Sequence, residues 1–163
     1  MQDENAVSQS DSMNRTLRDL ADKLRSRGVH DAASWFTDAQ IDTMYNAGHN
    51  LYQQSKYEKA LQIFSALYSF RPKDERLVLA MAISNKVLKR HAVALALFRE
   101  IEATTPEKTK VALHIAECLM HCDQKEEASA VLESLLAMPE SSEADKLAKS
   151  KARHWIALMA GGQ

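Results

Sequence analysis

The three prolines of this chain, Pro72, Pro106 and Pro139, stand 34 and 33 residues apart, and that spacing restricts the fold more than any other feature. A fixed period of this size signals one supersecondary unit repeated along the chain, each copy relying on its neighbours to bury its apolar face. Sliding the sequence by 34 residues aligns far more than the prolines. Ala60 falls on Ala94 and Ala128, Phe64 on Phe98 and Leu132, and Leu67 on Ile101 and Leu135. Gly48 falls on Ala82 and Ala116, all small, whereas Tyr57, His91 and Lys125 share a position and differ.

Each recurring residue class has a physical job in a helix–turn–helix unit. The small residue at 48, 82 and 116 and the alanine at 60, 94 and 128 let two helices approach closely. The large apolar group at 64, 98 and 132 fills space between neighbouring pairs. Proline ends the second helix, because it lacks an N–H and disfavours helix in the residue before it. This pattern resembles the tetratricopeptide repeat over about residues 41 to 140, although the Trp and Tyr of the ideal first helix are missing. The spacing predicts helices near 38–53, 57–70, 74–88, 91–103, 108–121 and 124–137, and no strand-like alternation competes with them. Thr37-Asp-Ala-Gln40 reads as a capping box, with Phe36 and Ile41 as a hydrophobic staple. Asp74 caps the second repeat, and Thr105-Pro106 opens the third.

Composition agrees. The chain has 163 residues, enough for one domain with a real core, and only four glycines and three prolines against 45% hydrophobic residues. The net charge of −1 gives no electrostatic case for nucleic acid or an anionic membrane. Arg15, Arg18, Lys23, Arg25 and Arg27, interrupted by Asp19 and Asp22, read as a solvated face. The start of the chain lacks an apolar signal-peptide region, and no apolar run approaches bilayer length. Cys118 and Cys122, four apart on one helix, would close a trivially small loop and read as reduced thiols. The expected location is the cytoplasm.

The flanks complete the architecture. Residues 1–12 read as disordered. Within 13–36, Leu17, Leu20 and Leu24 form an apolar stripe that must be buried, either on the chain's own repeats or as a homodimer contact. Residues 37–141 hold the three repeats. In 142–163, Ser142 caps a last helix carrying Leu147, Ala148, Ala152, Trp155, Ile156, Leu158 and Met159, which covers the final repeat as solenoids require. The expected fold is all-α: three tetratricopeptide-type helix pairs in a short right-handed solenoid, with an N-terminal helical extension and a C-terminal capping helix.

No nucleotide loop, nucleophile elbow or zinc-protease motif occurs, and no catalytic constellation emerges, so no enzyme activity and no cofactor are expected. His114, Cys118, His121 and Cys122 share one helix face, but a single straight helix cannot converge four ligands tetrahedrally, so they read as packed side chains and not as a metal site. The first helix of each repeat lines the inner face of such a stack. Its inward positions are Asp42, Tyr45, His49, Tyr52 and Gln53 in the first repeat, then Arg76, Leu79, Ile83, Lys86 and Val87 in the second. The third supplies Lys110, Leu113, Glu117, Met120 and His121. Tyr45, His49 and Tyr52 form one amphipathic stripe suited to an extended peptide, unless the N-terminal helix packs there. Tetratricopeptide proteins that grip a C-terminal carboxylate place Lys and Asn where this chain has Tyr45 and His49, so only Lys110 matches that clamp.

A narrower resemblance follows from the run Met44-Tyr-Asn-Ala-Gly-His-Asn-Leu-Tyr-Gln-Gln-Ser-Lys-Tyr-Glu-Lys-Ala60, from Phe64-Ser-Ala-Leu67, and from His114-Ile-Ala-Glu-Cys-Leu119. These resemble the class II chaperones of bacterial type III secretion, as do the chain's size, acidic start and helix order. The resemblance implies a chaperone that keeps the hydrophobic and minor translocator proteins soluble and export-competent in the bacterial cytoplasm. A Pro-x-Leu-x-x-Pro-like client segment would lie extended in the groove, with Tyr45, Tyr52, Tyr57, Phe64 and Leu67 in its pockets. His49 stands where the family commonly has an aromatic residue. Further groove positions are Leu79, Ile83, Lys86, Leu113, Glu117 and Met120. The resemblance also implies a homodimer through the N-terminal region in the free state, and some members partner a transcription regulator. The alternative is a tetratricopeptide adaptor that joins soluble proteins without chaperone activity.

Overall fold

The structure, a computed structural model, describes residues 36–161. Leu17, Leu20 and Leu24, read as a dimer contact, lie outside the described residues, as do the segments 1–12 and 13–35. Among the described residues there are seven helices and no strands: α1 (Asp38–Gln53), α2 (Tyr57–Phe70), α3 (Glu75–Val87), α4 (His91–Ile101), α5 (Lys108–His121), α6 (Lys125–Ala137) and α7 (Glu143–Gly161).

The helix starts follow the expected chemistry. At α1 the Thr37 hydroxyl accepts from the Gln40 N–H (3.3 Å), while the Gln40 side chain accepts from the Thr37 N–H (2.9 Å), completing the capping box. Asp74 accepts from the Arg76 N–H (3.0 Å), so it caps α3 and stands outside the helix. Proline does not end every second helix, which corrects the expectation. Pro72 and Pro139 follow α2 and α6 closely, and Met138 before Pro139 has the extended backbone that a residue preceding proline adopts. The α4 helix instead stops at Ile101, where the Thr104 and Thr105 N–H groups both turn back to the Ile101 carbonyl, several residues before Pro106.

Within each repeat the two helices are joined by the same C-terminal cap. Ser55, Lys89 and Asp123 have φ of 59°, 59° and 61°, the left-handed region, at matching repeat positions. The following N–H reaches back five residues each time: Lys56 to Leu51, Arg90 to Asn85 and Gln124 to Leu119, all 2.9 Å. The left-handed residue bonds the next carbonyl along: Ser55 to Tyr52, Lys89 to Lys86 and Asp123 to Met120. This is a Schellman motif built three times without glycine, so each copy carries backbone strain of about 1 kcal/mol that glycine would not.

The chain divides into two compact units at Leu77–Val78. In the first, α1 packs on α2 through Ile41, Gly48, Ala60, Leu61, Phe64 and Leu67, all buried. Gly48 is needed because a Cβ there would lie 2.7 Å from Phe64 Cε1 and 3.2 Å from Ile63 Cγ2. Phe36, read as a staple partner of Ile41, packs edge-on to Phe70 with centroids 5.1 Å apart. Arg71 fastens this end by donating to the Phe36 carbonyl (3.0 Å) and to Asp38 (3.3 Å).

In the second unit α5 contacts α4, α6 and α7 and is buried on most of its circumference. Phe98, Val111, Ile115, Ala116, Leu119, Leu132 and Leu135 are completely enclosed. The α7 helix covers α5 and α6 with Ala148, Ala152, Trp155, Ile156 and Met159. Leu147 and Leu158 are 58% and 61% exposed, so they do not belong to this stripe as the sequence suggested. They fall about 100° round the helix from its buried line. Two polar anchors fix α7. Asp145 accepts from Thr109 (2.5 Å) on α5 and from Ser141 and Ser142, which holds its carboxyl well below the usual range, the Thr109 bond foremost. The buried Lys149 ammonium donates to the Met138 carbonyl (2.6 Å) at the end of α6.

Candidate functional site

In the first unit the exposed side of α1 carries an aromatic face. The Tyr45 ring lies against Phe64, centroids 5.5 Å apart, and the Arg76 guanidinium sits 5.5 Å from the Tyr45 centroid on its own account. Arg76 is held by three carboxylate contacts, to Asp42 (3.0 Å) and to both oxygens of Asp74 (3.1 and 2.8 Å). These bonds raise the Arg76 pKa, and they lower that of Asp74. Its charge is therefore cancelled where it roofs the ring, and it serves as a flat lid that packs more than it attracts anions. Two turns on, Tyr52 meets Tyr57 edge-on at 5.1 Å, and the Tyr57 hydroxyl donates to Ser55 (3.3 Å). Burial raises the pKa of Tyr45 and of Tyr52, so both remain neutral phenols able to donate.

Tyr45, Tyr52 and Tyr57 are thus brought together, part buried and part open, while His49 is exposed beside them. Phe64 and Leu67 are only 2% and 3% exposed. Phe64 forms the floor under Tyr45, and neither Phe64 nor Leu67 offers surface of its own. Asp42 and Arg76 occupy the same position of consecutive repeats, 34 residues apart. Opposite charges at one inner position were the signal that would have revealed this ion pair from sequence.

In the second unit the inner positions hold an ionic cluster. The Lys86 ammonium on α3 donates to Glu117 Oε2 (2.5 Å) on α5 and lies 3.1 Å from His114 Nδ1. Since an ammonium has only donors, Nδ1 accepts and the His114 proton is assigned to Nε2. The His114 ring stacks on Phe98, centroids 5.1 Å apart. The Lys86 ammonium holds the Glu117 carboxyl below its usual range, and His114 Nδ1 lies 3.7 Å from the carboxylate. At 3.7 Å the imidazole exceeds hydrogen-bond range, so the direct bond is the lysine's. Leu113 is buried, whereas Leu79, Ile83 and Met120 are partly covered.

A feature that sequence reasoning missed is the stack of His91 on His121, centroids 4.1 Å apart and rings 13° from parallel. His91 Nδ1 is buried without a hydrogen-bond partner, and burial, followed by the His121 charge, lowers the His91 pKa. Both residues were visible in the sequence, but pairing across 30 positions needs the fold. Cys118 is buried, which pushes its thiol up to about 11, and both cysteines are free. His114 points to Phe98 and Lys86, and His121 to His91. Among the described residues no group of three or more histidine, cysteine or acidic side chains is placed to hold a metal ion. No helix among them is long and apolar enough to cross a membrane.

A tetratricopeptide-repeat family profile matches residues 88–150. A comparison with curated protein sequences gave no match. Among solved structures, the Yersinia enterocolitica type III secretion chaperone SycD, in complex with a peptide of the translocator YopD, superposes with a TM-score of 0.69. Identity is 19%, over 76% of this chain and 95% of that one. PcrH from Pseudomonas aeruginosa gives 0.68 at 21% identity, over 77% and 95%. The first tetratricopeptide domain of Spaghetti, bound to an Hsp90 peptide, gives 0.60 at 19% identity, over 74% and 96%. At these identities the likeness establishes the fold: an all-α tetratricopeptide-type chain whose neighbours include translocator chaperones.

Proposed function

We propose that this protein is a cytoplasmic chaperone of type III secretion translocators, without enzymatic activity, that holds an extended client segment on the α1 face. The observation that carries this reading is the open tyrosine face of α1 on a fold shared with chaperones solved with translocator peptides. Tyrosine suits the task because a rigid ring supplies apolar area and its hydroxyl supplies a hydrogen bond, with little rotamer entropy to lose. The Arg76 lid, already neutralised, favours an apolar or proline-rich segment over an acidic one. A pore-forming client exposes membrane-seeking helices, and occupancy of its segment lowers the concentration of free chain by mass action. Release for export requires a shallow site, and a partly open face supplies one.

The test is co-expression with a translocator that carries long apolar segments. The wild-type protein is expected to bring the client into the soluble fraction as a complex. Tyr52→Ala is expected to weaken that complex about tenfold or more while leaving the thermal transition in place. A client that stays insoluble with the wild type contradicts the chaperone reading and favours the adaptor. Undiminished affinity of Tyr52→Ala contradicts the face assignment.

A further inference from the structure

The ionic cluster of the second unit has hydrogen-bonding capacity that the fold does not consume. Lys86 uses two of the three N–H groups of its ammonium, on Glu117 Oε2 and His114 Nδ1. Glu117 accepts on Oε2, and among the described residues nothing occupies Oε1. Glu117 Oε1 is not a buried orphan atom, so it remains within reach of solvent or a ligand. The Lys86 and Glu117 side chains are nonetheless only 15% and 29% exposed, in surroundings where a hydrogen bond counts for more than it does in water. Two helices supply them, and the lysine is further steadied by a histidine that is itself stacked on Phe98. Little ordering is left for a ligand to impose.

We propose that Lys86 and Glu117 read the main chain of an extended, uncharged peptide: the third lysine N–H donates to a client carbonyl, and Glu117 Oε1 accepts a client amide N–H. This rests on the peptide-binding reading given above and concerns the second unit by itself. The charges cancel, so an acidic or basic client group gains no unmatched partner here. In an extended chain the N–H and C=O of one residue face the same side, so one client residue presents the donor and the acceptor that the pair matches. Such a face is indifferent to client side chains.

The probe is a fluorescein-labelled synthetic peptide with a central Pro-Ala-Leu-Ala-Ala-Pro segment, together with analogues in which each non-proline amide in turn is an ester. With wild-type protein two consecutive positions are expected to respond, the ester that removes the contacted N–H losing about tenfold in affinity and the next, which weakens the contacted C=O, losing less, with little change at the others. A flat ester scan overturns the proposal without recourse to any variant. In the Lys86→Met/Glu117→Met double variant, apolar replacement of the pair leaves net charge unchanged and is expected to preserve the thermal transition. Its affinity for the all-amide peptide should fall about tenfold, and the ester effect should disappear. Wild-type affinity in the double variant, or an ester loss that persists there, identifies a purely structural ion pair and overturns the proposal. Tyr52→Ala serves as the control: loss of binding there alone upholds the α1 face and rejects this site. Failure of the wild type to bind the all-amide peptide overturns both.

Discussion

The helices α1 and α5 occupy equivalent places in the first and third repeats, yet the chain treats them very differently. Of α1 only Ile41 and Gly48 are buried, whereas α5 buries Thr109, Val111, Ala112, Leu113, Ile115, Ala116, Cys118 and Leu119. The cause lies in what surrounds them. The α5 helix has α4, α6 and α7 against it, while the main contact of α1 is α2. A helix packed on all sides must be apolar nearly all round, and one packed on a single side can spend its other face on recognition. Stability is therefore concentrated in the second unit, and the open aromatic face in the first.

The sharpest way to break this contrast is to truncate each side. Leu119→Ala, in a fully enclosed site, is expected to lower the free energy of unfolding by about 3 kcal/mol, measured by urea titration. Tyr52→Ala should cost less than about 1 kcal/mol in the same assay, since its ring already meets solvent. Similar losses would erase the distinction between packing helix and recognition helix.

A smaller effect belongs to the second unit alone. The Lys86 pair lowers the Glu117 pKa in the folded chain from its ordinary 4.5 towards 2. Because the folded value is the lower one, the stabilisation is complete above pH 4.5 and is lost as pH falls towards 2. After screening at a partly exposed site the loss is about 1 kcal/mol. Thermal melts between these pH values should show it in the wild type and not in Glu117→Gln. An unchanged difference between the two proteins across that range would remove the pair from the stability account.

The smallest effect is shared by all three repeats. Lys89→Gly is expected to stabilise the fold by about 0.5 kcal/mol or slightly more, because the left-handed φ of 59° strains lysine and not glycine. Asp123→Gly should gain less, since aspartate tolerates that region better. Both gains are read as thermal midpoints, and a destabilised Lys89→Gly would mean that the Schellman turn is not under strain.

Much of the fold was legible in the residues. The period placed the small positions, the enclosed aromatics and the helix limits, and Thr37, Asp74 and Ser142 announced their caps through short-range chemistry. Local signals failed where contacts span the chain. The Schellman turns carry serine, lysine and aspartate in place of the glycine that would have marked them. Leu147 and Leu158 looked like core because they are leucines, but the smaller Ala148 and Ala152 lie on the line that α5 and α6 cover. In the candidate site Tyr45 and Tyr52 were found by spacing, and Tyr57 was implied by the family resemblance alone. The period read Phe64 as a space-filling group, and the pocket role of Phe64 and Leu67 came only from the resemblance; both side chains are buried. The Lys86–Glu117 and His91–His121 pairs join residues about 30 apart and needed the packing of α3 and α4 beside α5.

The central claim is that a client segment occupies the open face of α1. Amide hydrogen exchange with and without a bound translocator segment tests it most directly, because it reads α1 and α5 in one experiment. In the free protein, α1 amides are expected to exchange faster than those of α5. On binding, protection should rise in α1, around Tyr45 to Tyr52, and change little in the enclosed stretch Val111 to Leu119. A bound client that leaves α1 exchange unaltered would contradict the claim.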